Sequence, residues 1–131
     1  MPIEEMSLGD QLETHPDVSL DNVKRFTRAA KLSFGRFVDH EQARKEGLPG
    51  AIVPGIMSQG LLVAAIHAFA PGCEIENIDT IFRAPVLVDS KPTVRVVVTD
   101  LDPATRALAL DLTITNEANE TRVAGTASVR L

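Results

Sequence analysis

The longest uncharged segment of the chain is residues 51–70, which read AIVPGIMSQGLLVAAIHAFA and contain no Asp, Glu, Lys or Arg. Proline at position 54 suits the first turn of a helix, where its missing N–H leaves no bond unmade. Pro71-Gly72 marks the end of the segment. Because a helix that is apolar on all sides belongs in a protein core, the pattern predicts one long buried helix beginning near Pro54.

The second half of the chain alternates between apolar and polar positions, which is typical of strands. Four strands are predicted, over residues 74–83, 92–101, 106–115 and 121–131. Turn-forming residues at 102–105 and 116–120 separate the last three strands and predict two consecutive hairpins.

The first half of the chain predicts shorter elements. A short extended piece covers residues 11–14, and apolar residues at spacings of three and four predict a helix over 20–31 with Ser19 as its N-cap. Asp39 caps a second, short helix over 40–46, and Gly47 ends that helix. Residues 32–38, LSFGRFV, are apolar without a clear period.

Together these elements predict a single α+β domain over residues 1–131, in which a strongly bent antiparallel sheet wraps around one long central helix. This is the hot-dog arrangement. The central helix has two faces to bury and a sheet of this length leaves open edges, so dimerisation through a sheet edge is expected.

The composition argues against several classes of function. The net charge is −5 and no more than two basic residues are adjacent, whereas backbone recognition of nucleic acids needs concentrated positive charge. The single cysteine, Cys73, excludes an internal disulfide and favours a reducing cytoplasm. There is no glycine-rich phosphate loop, dinucleotide motif or zinc spacing, so neither a cofactor nor a metal is predicted. Pro54, Gln59 and His67 interrupt the apolar segment, so no membrane span is predicted.

Four parts of the sequence resemble the MaoC-like hot-dog family, which includes (R)-specific enoyl-CoA hydratases and acyl dehydratases. They are Leu8–Asp10 with Val18–Phe26, Ile52–Ile56, Phe82–Val86 with Asp89, and Leu110–Ala127. Their order and spacing cover nearly the whole chain. The resemblance implies the hot-dog fold and a ligand that is an acyl thioester, such as an acyl-CoA.

The family's catalytic segment reads Asp-x-Asn-Pro-x-His-x-Asp, and this chain departs from it. The Asp position falls on Leu32 and the His position on Phe37, and only the trailing Asp remains, as Asp39. Hydration of an enoyl thioester needs groups that accept and donate protons within hydrogen-bond reach of the substrate, which leucine and phenylalanine cannot supply. The resemblance therefore implies a retained pocket without the hydratase dyad.

The predicted substrate-binding residues fall into two groups. The first group, Leu32, Phe34 and Phe37, is expected to form the floor of an apolar tunnel. The second group lies at the start of the central helix or on the strand after it, and consists of Pro54, Gly55, Ile56, Gln59 and Arg83. The Gly55 N–H, at the positive end of the helix dipole, would face the thioester carbonyl. Arg83 would meet a CoA phosphate if it faces outward at the dimer seam, and the alternative is a surface salt bridge.

Two functions remain open from the sequence. The first is a non-catalytic subunit that binds an acyl-CoA or another acyl thioester, as a homodimer or as a hetero-oligomer with a catalytic MaoC-like subunit. The second is an active hydratase or dehydratase with a rearranged site, in which Asp39 and His40 are the catalytic candidates, or a thioesterase assisted by Gln59. In the alternative interpretation, Asp39 caps a helix and His40 is an exposed residue of its first turn. His67 is predicted to lie at the sheet rim and His15 in solvent.

Overall fold

The computed structural model describes residues 2–131. The helices are a 3-10 turn at Ile3–Glu5, α1 (Leu20–Ala30), α2 (Gly35–Val38), α3 (His40–Lys45) and α4 (Gly55–Phe69). The strands are β1 (Gln11–Thr14), β2 (Glu74–Phe82), β3 (Thr93–Asp102), β4 (Ala107–Thr115) and β5 (Thr121–Arg130). The predicted helices and strands are confirmed to within two residues at each end, whereas the 3-10 turn and the single turn of α2 were not predicted.

The five strands form one antiparallel sheet in the order β1-β3-β4-β5-β2. Strands β3, β4 and β5 follow each other as a meander, whereas β2 is added at the far side of β5. The sheet therefore has two edge strands, β1 and β2. This architecture confirms the predicted α+β fold class.

Helix α4 crosses the inner face of the sheet and packs mainly on β3, β1 and β4. Leu62 and Ile66 of α4 are fully buried, as are Val94 and Val96 of β3 and Ile114 of β4. The helix contains no charged residue, so the sheet can bury one side of it without desolvating a charge. The opposite side of the helix stays exposed, and this includes Gly60, Ala64 and His67.

The backbone of β2 leaves no room for a side chain at Gly125 of β5. A Cβ atom added there would lie 2.4 Å from the carbonyl oxygen of Asp79 on β2. Because the obstacle is backbone rather than a movable side chain, Gly125→Ala is expected to push the strands apart. We expect it to lower the free energy of unfolding by about 1–3 kcal/mol, the usual range for overpacking.

Urea denaturation followed by circular dichroism measures this effect. The matched control is Ser128→Ala on the same strand, where the side chain is exposed, and a change within about 0.5 kcal/mol is expected. Equal midpoints for the two variants would show that the backbone contact at Gly125 does not constrain the sheet.

Candidate functional site

The N-terminus of α4 opens onto a cavity of about 350 Å³ between this helix and α2, which we call the α2 cavity. Its walls are Leu32, Phe34, Arg36, Phe37, Pro54, Gly55 and Ile56. Phe34 and Phe37 meet edge to face, with ring centroids 6.2 Å apart. The structure thus brings together all three residues expected to floor an apolar tunnel and three of those expected at the helix start.

A second cavity of about 310 Å³ lies on the other side of Gly55, and we call it the β2 cavity. Arg83, Ser58 and the ring of Phe82 contribute to its walls. The Phe82 ring packs over Gly55, since a Cβ atom added at Gly55 would lie 3.5 Å from it. Gly55 lines both cavities, whereas Gln59 lines neither and is half-buried one turn further along α4.

The first turn of α4 presents free backbone donors to these cavities. Pro54 supplies no side-chain cap, and the first hydrogen bond of the helix runs from the N–H of Ser58 to the carbonyl of Pro54, at 3.0 Å. The N–H groups of Gly55 and Ile56 have no acceptor within residues 2–131. Such amides, at the positive end of the helix dipole, can bind a carbonyl oxygen or an anion.

Among residues 2–131, no Asp, Glu or His lines the α2 cavity or the β2 cavity. The charged residues that line them within this range are Arg36 and Arg83, and the Arg36 Nη2 atom lies 3.2 Å from Glu46 Oε1. A guanidinium stays protonated at any ordinary pH and therefore does not act as a general base. The walls can bind apolar and anionic groups, but they hold no group suited to moving a proton at neutral pH.

His40 lies outside both cavities and uses both ring nitrogens in structural hydrogen bonds. Its Nδ1 accepts the N–H of Ala51 at 3.0 Å, which places the ring proton on Nε2. The Nε2–H donates to Asp89 Oδ2 at 2.8 Å. Through these bonds His40 connects α3 both to the segment leading into α4 and to the turn before β3.

Asp39 and Asp89 both accept backbone hydrogen bonds at helix N-termini. Asp39 Oδ1 accepts the N–H of Gln42 at 3.1 Å and caps α3. Asp89 Oδ1 accepts the N–H of Leu20 at 2.8 Å, at the start of α1. The geometry gives Asp39 and His40 structural contacts, while their catalytic assignment stays a prediction that no comparison tests.

The hydrogen bond from His40, together with the N–H of Leu20, holds the pKa of Asp89 below its usual value. The folded state thus favours the charged carboxylate. The resulting stabilisation is fully present above the ordinary carboxyl pKa of about 3.9 and is lost as the pH falls through the lowered folded-state pKa.

Replacing His40 with phenylalanine is expected to lower the free energy of unfolding by about 1–3 kcal/mol. Ala51 is fully buried, so the substitution leaves its N–H without an acceptor and also removes the partner of Asp89. Urea denaturation at neutral pH measures the loss. The control is His15→Phe, because the exposed His15 makes only a 3.4 Å contact with Thr93. A His40 variant as stable as the control would exclude a structural role for the ring.

The remaining candidates from the sequence lie away from the cavities. Cys73 is buried in the turn between α4 and β2, and burial raises the pKa of its thiol. Its Sγ lies 3.8 Å from Nδ1 of the exposed His67. Residues 2–131 contain no cluster of three metal-ligating side chains. Within the same residues, no helix combines the length and the apolar character that crossing a membrane requires.

Solved structures with this architecture include (R)-hydratases and a MaoC-like dehydratase. The (R)-hydratase from A. caviae involved in PHA biosynthesis superposes with a TM-score of 0.90 and 20% identity over 98% of each chain. The R-hydratase PhaJ1 from Pseudomonas aeruginosa superposes with a TM-score of 0.90 and 21% identity, over 98% of this chain and 83% of that chain. The protein has their hot-dog fold.

A third similar structure comes from an assembly of two different proteins. It is a chain of the ChsH1–ChsH2 complex from Mycobacterium tuberculosis, with a TM-score of 0.85 and 16% identity over 96% of this chain and 98% of that chain. No family model matches the sequence, and no curated protein matches it. The superposed structures confirm the fold that the resemblance implied.

Two parts of the site were missed by reasoning from sequence. Arg36 lies in a segment without periodicity, and nothing in the sequence indicated that it lines a cavity. Asp89 was named only among the residues that resemble the family, although it is the hydrogen-bond partner of His40. The two residues are 49 positions apart, and no local pattern connects them.

Proposed function

We propose that this chain is a MaoC-like protein that binds an acyl thioester such as an acyl-CoA and, on its own, does not hydrate it. It would act as the non-catalytic subunit of an assembly with a catalytic relative. The observation that carries the proposal is the wall of the α2 cavity, where Leu32 and Phe37 line the same cavity as Gly55. The resemblance to the family aligns Leu32 and Phe37 with its Asp and His. A reducing cytoplasm is the expected compartment.

The contacts around Gly55 support this ligand. The thioester carbonyl oxygen would accept the free N–H groups of Gly55 and Ile56, and the acyl chain would lie against Leu32, Phe34 and Phe37. Arg83, on the β2 cavity side, would bind a phosphate of the CoA portion. These interactions position the substrate but provide no proton acceptor for water.

An incomplete site in one chain is consistent with assembly. The fold is shared with a chain of the ChsH1–ChsH2 complex, which contains two different proteins. The exposed side of α4 and the edge strand β2 leave a surface in this chain that a second hot-dog chain could cover.

Isothermal titration of the purified protein with octanoyl-CoA and with CoA alone tests binding, and the loss of enoyl-thioester absorbance with trans-2-enoyl-CoA tests hydration. We expect octanoyl-CoA to bind at least tenfold tighter than CoA, with no hydration.

Turnover at about 1–10³ s⁻¹, as for ordinary enzymes, would overturn the non-catalytic assignment and direct attention to His40 and Asp39. Release of free CoA thiol would instead indicate a thioesterase, with Gln59 as the first residue to replace. A protein that binds neither compound would refute the proposed ligand.

A further inference from the structure

Residues 51–54, which we call the entry segment, lead directly into α4 and are fixed by hydrogen bonds to neighbouring parts of the fold. The N–H groups of Ile52 and Val53 donate to backbone carbonyls, at 2.9 and 2.8 Å. The N–H of Ala51 instead donates to the Nδ1 atom of His40, at 3.0 Å. Of these three acceptors, the imidazole is the one that can gain a proton.

The His40 ring reaches the entry segment because residue 50 is a glycine. A Cβ atom added at Gly50 would lie 3.1 Å from Nδ1 of His40, so a side chain there would press against the ring. Gly50 and Ala51 are both buried. The Ala51 N–H would therefore be left unpaired in the protein interior if the ring lost its acceptor, which is costly for a buried donor.

The entry segment sets the direction of the first turn of α4. Val53 and Pro54 are buried, and the proline ring fixes the backbone φ of Pro54 at −57°. The free N–H groups of Gly55 and Ile56 follow immediately along the chain. Because an N–H group binds an oxygen well only within about 2.7–3.2 Å, a small displacement of the entry segment changes what these two amides can bind.

The bond to Ala51 exists only while the His40 ring is neutral. Both nitrogens of an imidazolium carry hydrogen, so a protonated ring would face the Ala51 N–H with a second donor. The Nε2–H donates to Asp89 in either state, so that contact is kept. Histidine is the side chain whose charge ordinarily changes between about pH 5 and 8.

The charged groups beside the His40 ring are of kinds that ordinarily keep a constant charge over that range. They include Asp89 from the turn before β3, Asp17 before α1, and, from α3 and its N-cap, Asp39, Glu41 and Arg44. Hydrogen bonds hold the pKa of two of these carboxyls below the usual value, from the His40 ring for Asp89 and from a backbone N–H for Asp17. A pH effect at the entry segment is therefore assigned to the imidazole.

We propose that His40 is a positioning residue for the candidate site: its neutral ring holds the entry segment so that the amides of Gly55 and Ile56 face the ligand, and protonation of the ring releases them. The effect on ligand affinity rests on the proposed function, because the ligand is the acyl thioester proposed there. The effect on the two amides is independent of any ligand.

His40→Asn and His40→Phe separate the acceptor from the shape of the ring. Asparagine places its Oδ1 atom close to the position of Nδ1 and does not titrate, whereas phenylalanine keeps a ring without an acceptor. Titration calorimetry with octanoyl-CoA at about pH 7.5 and about pH 5.5 gives the affinities. At the higher pH we expect His40→Asn to bind within about twofold of the wild type and His40→Phe about two- to tenfold more weakly, the usual worth of one hydrogen bond.

At the lower pH the wild type should weaken by about two- to tenfold more than His40→Asn, whose affinity keeps only the pH dependence of the ligand. The control is His15→Asn, which should follow the wild type at both pH values because the exposed His15 lines neither the α2 nor the β2 cavity. Circular dichroism confirms that each variant is folded. Equal pH dependence of the wild type and His40→Asn, or wild-type affinity of His40→Phe at the higher pH, would overturn the positioning role.

NMR spectra of the protein without ligand separate this role from the proposed function. The amide signals of Gly55 and Ile56 should shift between the two pH values in the wild type and stay in place in His40→Asn. Such shifts without binding of octanoyl-CoA would refute the ligand and leave the positioning role standing. Binding of octanoyl-CoA without these shifts would refute the positioning role alone.

Discussion

Hydration of trans-2-enoyl-CoA is expected to rise at least 100-fold above the background of the wild type when Leu32 is replaced by aspartate and Phe37 by histidine. Both positions line the α2 cavity together with Gly55, whose N–H is free to bind the thioester carbonyl. The substitutions therefore place a carboxylate and an imidazole beside the expected position of the thioester. Each positioned acid or base typically contributes about 10²–10⁴-fold to a rate.

The rate is measured as loss of enoyl-thioester absorbance at fixed enzyme concentration. The matched control is Leu32→Asn/Phe37→Gln, which adds polar groups of similar size that do not titrate near neutral pH, and it should stay at background. The gain should also show a pH dependence that the control lacks. A correctly folded Asp/His variant with no more activity than the control would mean that these two positions do not face the reacting atoms.

Octanoyl-CoA affinity is expected to fall by about 10–100-fold when Phe34 and Phe37 are both replaced by alanine. Full burial of a phenylalanine side chain against a ligand is worth about 1.5–3 kcal/mol, and Phe34, which is 60% exposed without ligand, has the most surface to gain. The loss should grow with acyl length, since acetyl-CoA has no chain to reach the rings. Titration calorimetry with both ligands measures the two losses.

The control for this pair is Leu8→Ala, an exposed apolar residue that lines neither cavity. It should leave both affinities unchanged. Equal losses for acetyl-CoA and octanoyl-CoA would indicate that the rings support the fold of α2 rather than contact the acyl chain.

The fold could be predicted from sequence because its main elements carry strong local patterns. Helix α4 follows from an uncharged segment bounded by Pro54 and Pro71, and β3, β4 and β5 follow from alternation interrupted by clear turns. The sheet order is less local, since β2 pairs with β5, across the whole meander. The sequence patterns did not predict this order.

The candidate site was only partly accessible from the sequence. Leu32, Phe37 and Gly55 were assigned by position in the family's motif, and the structure places all three around one cavity. Helix α2 was not predicted, because its single turn has no periodicity. It is held by a long-range bond from the N–H of Ile52 to the carbonyl of Arg36, at 2.9 Å. The hydrogen bonds of His40 are likewise set by tertiary structure, which residue spacing does not encode.

The position of β2 beyond the meander has a kinetic consequence. The hairpins β3–β4 and β4–β5 close short loops, whereas β2 reaches β5 only after a longer stretch of chain has been ordered, which costs more loop entropy. On these grounds β2 would join the sheet after the meander has formed, and its amide hydrogens would exchange before those of β3, β4 and β5 in the native state. A chain that adds a strand to this edge would then protect those amides, so assembly would stabilise the docking of β2.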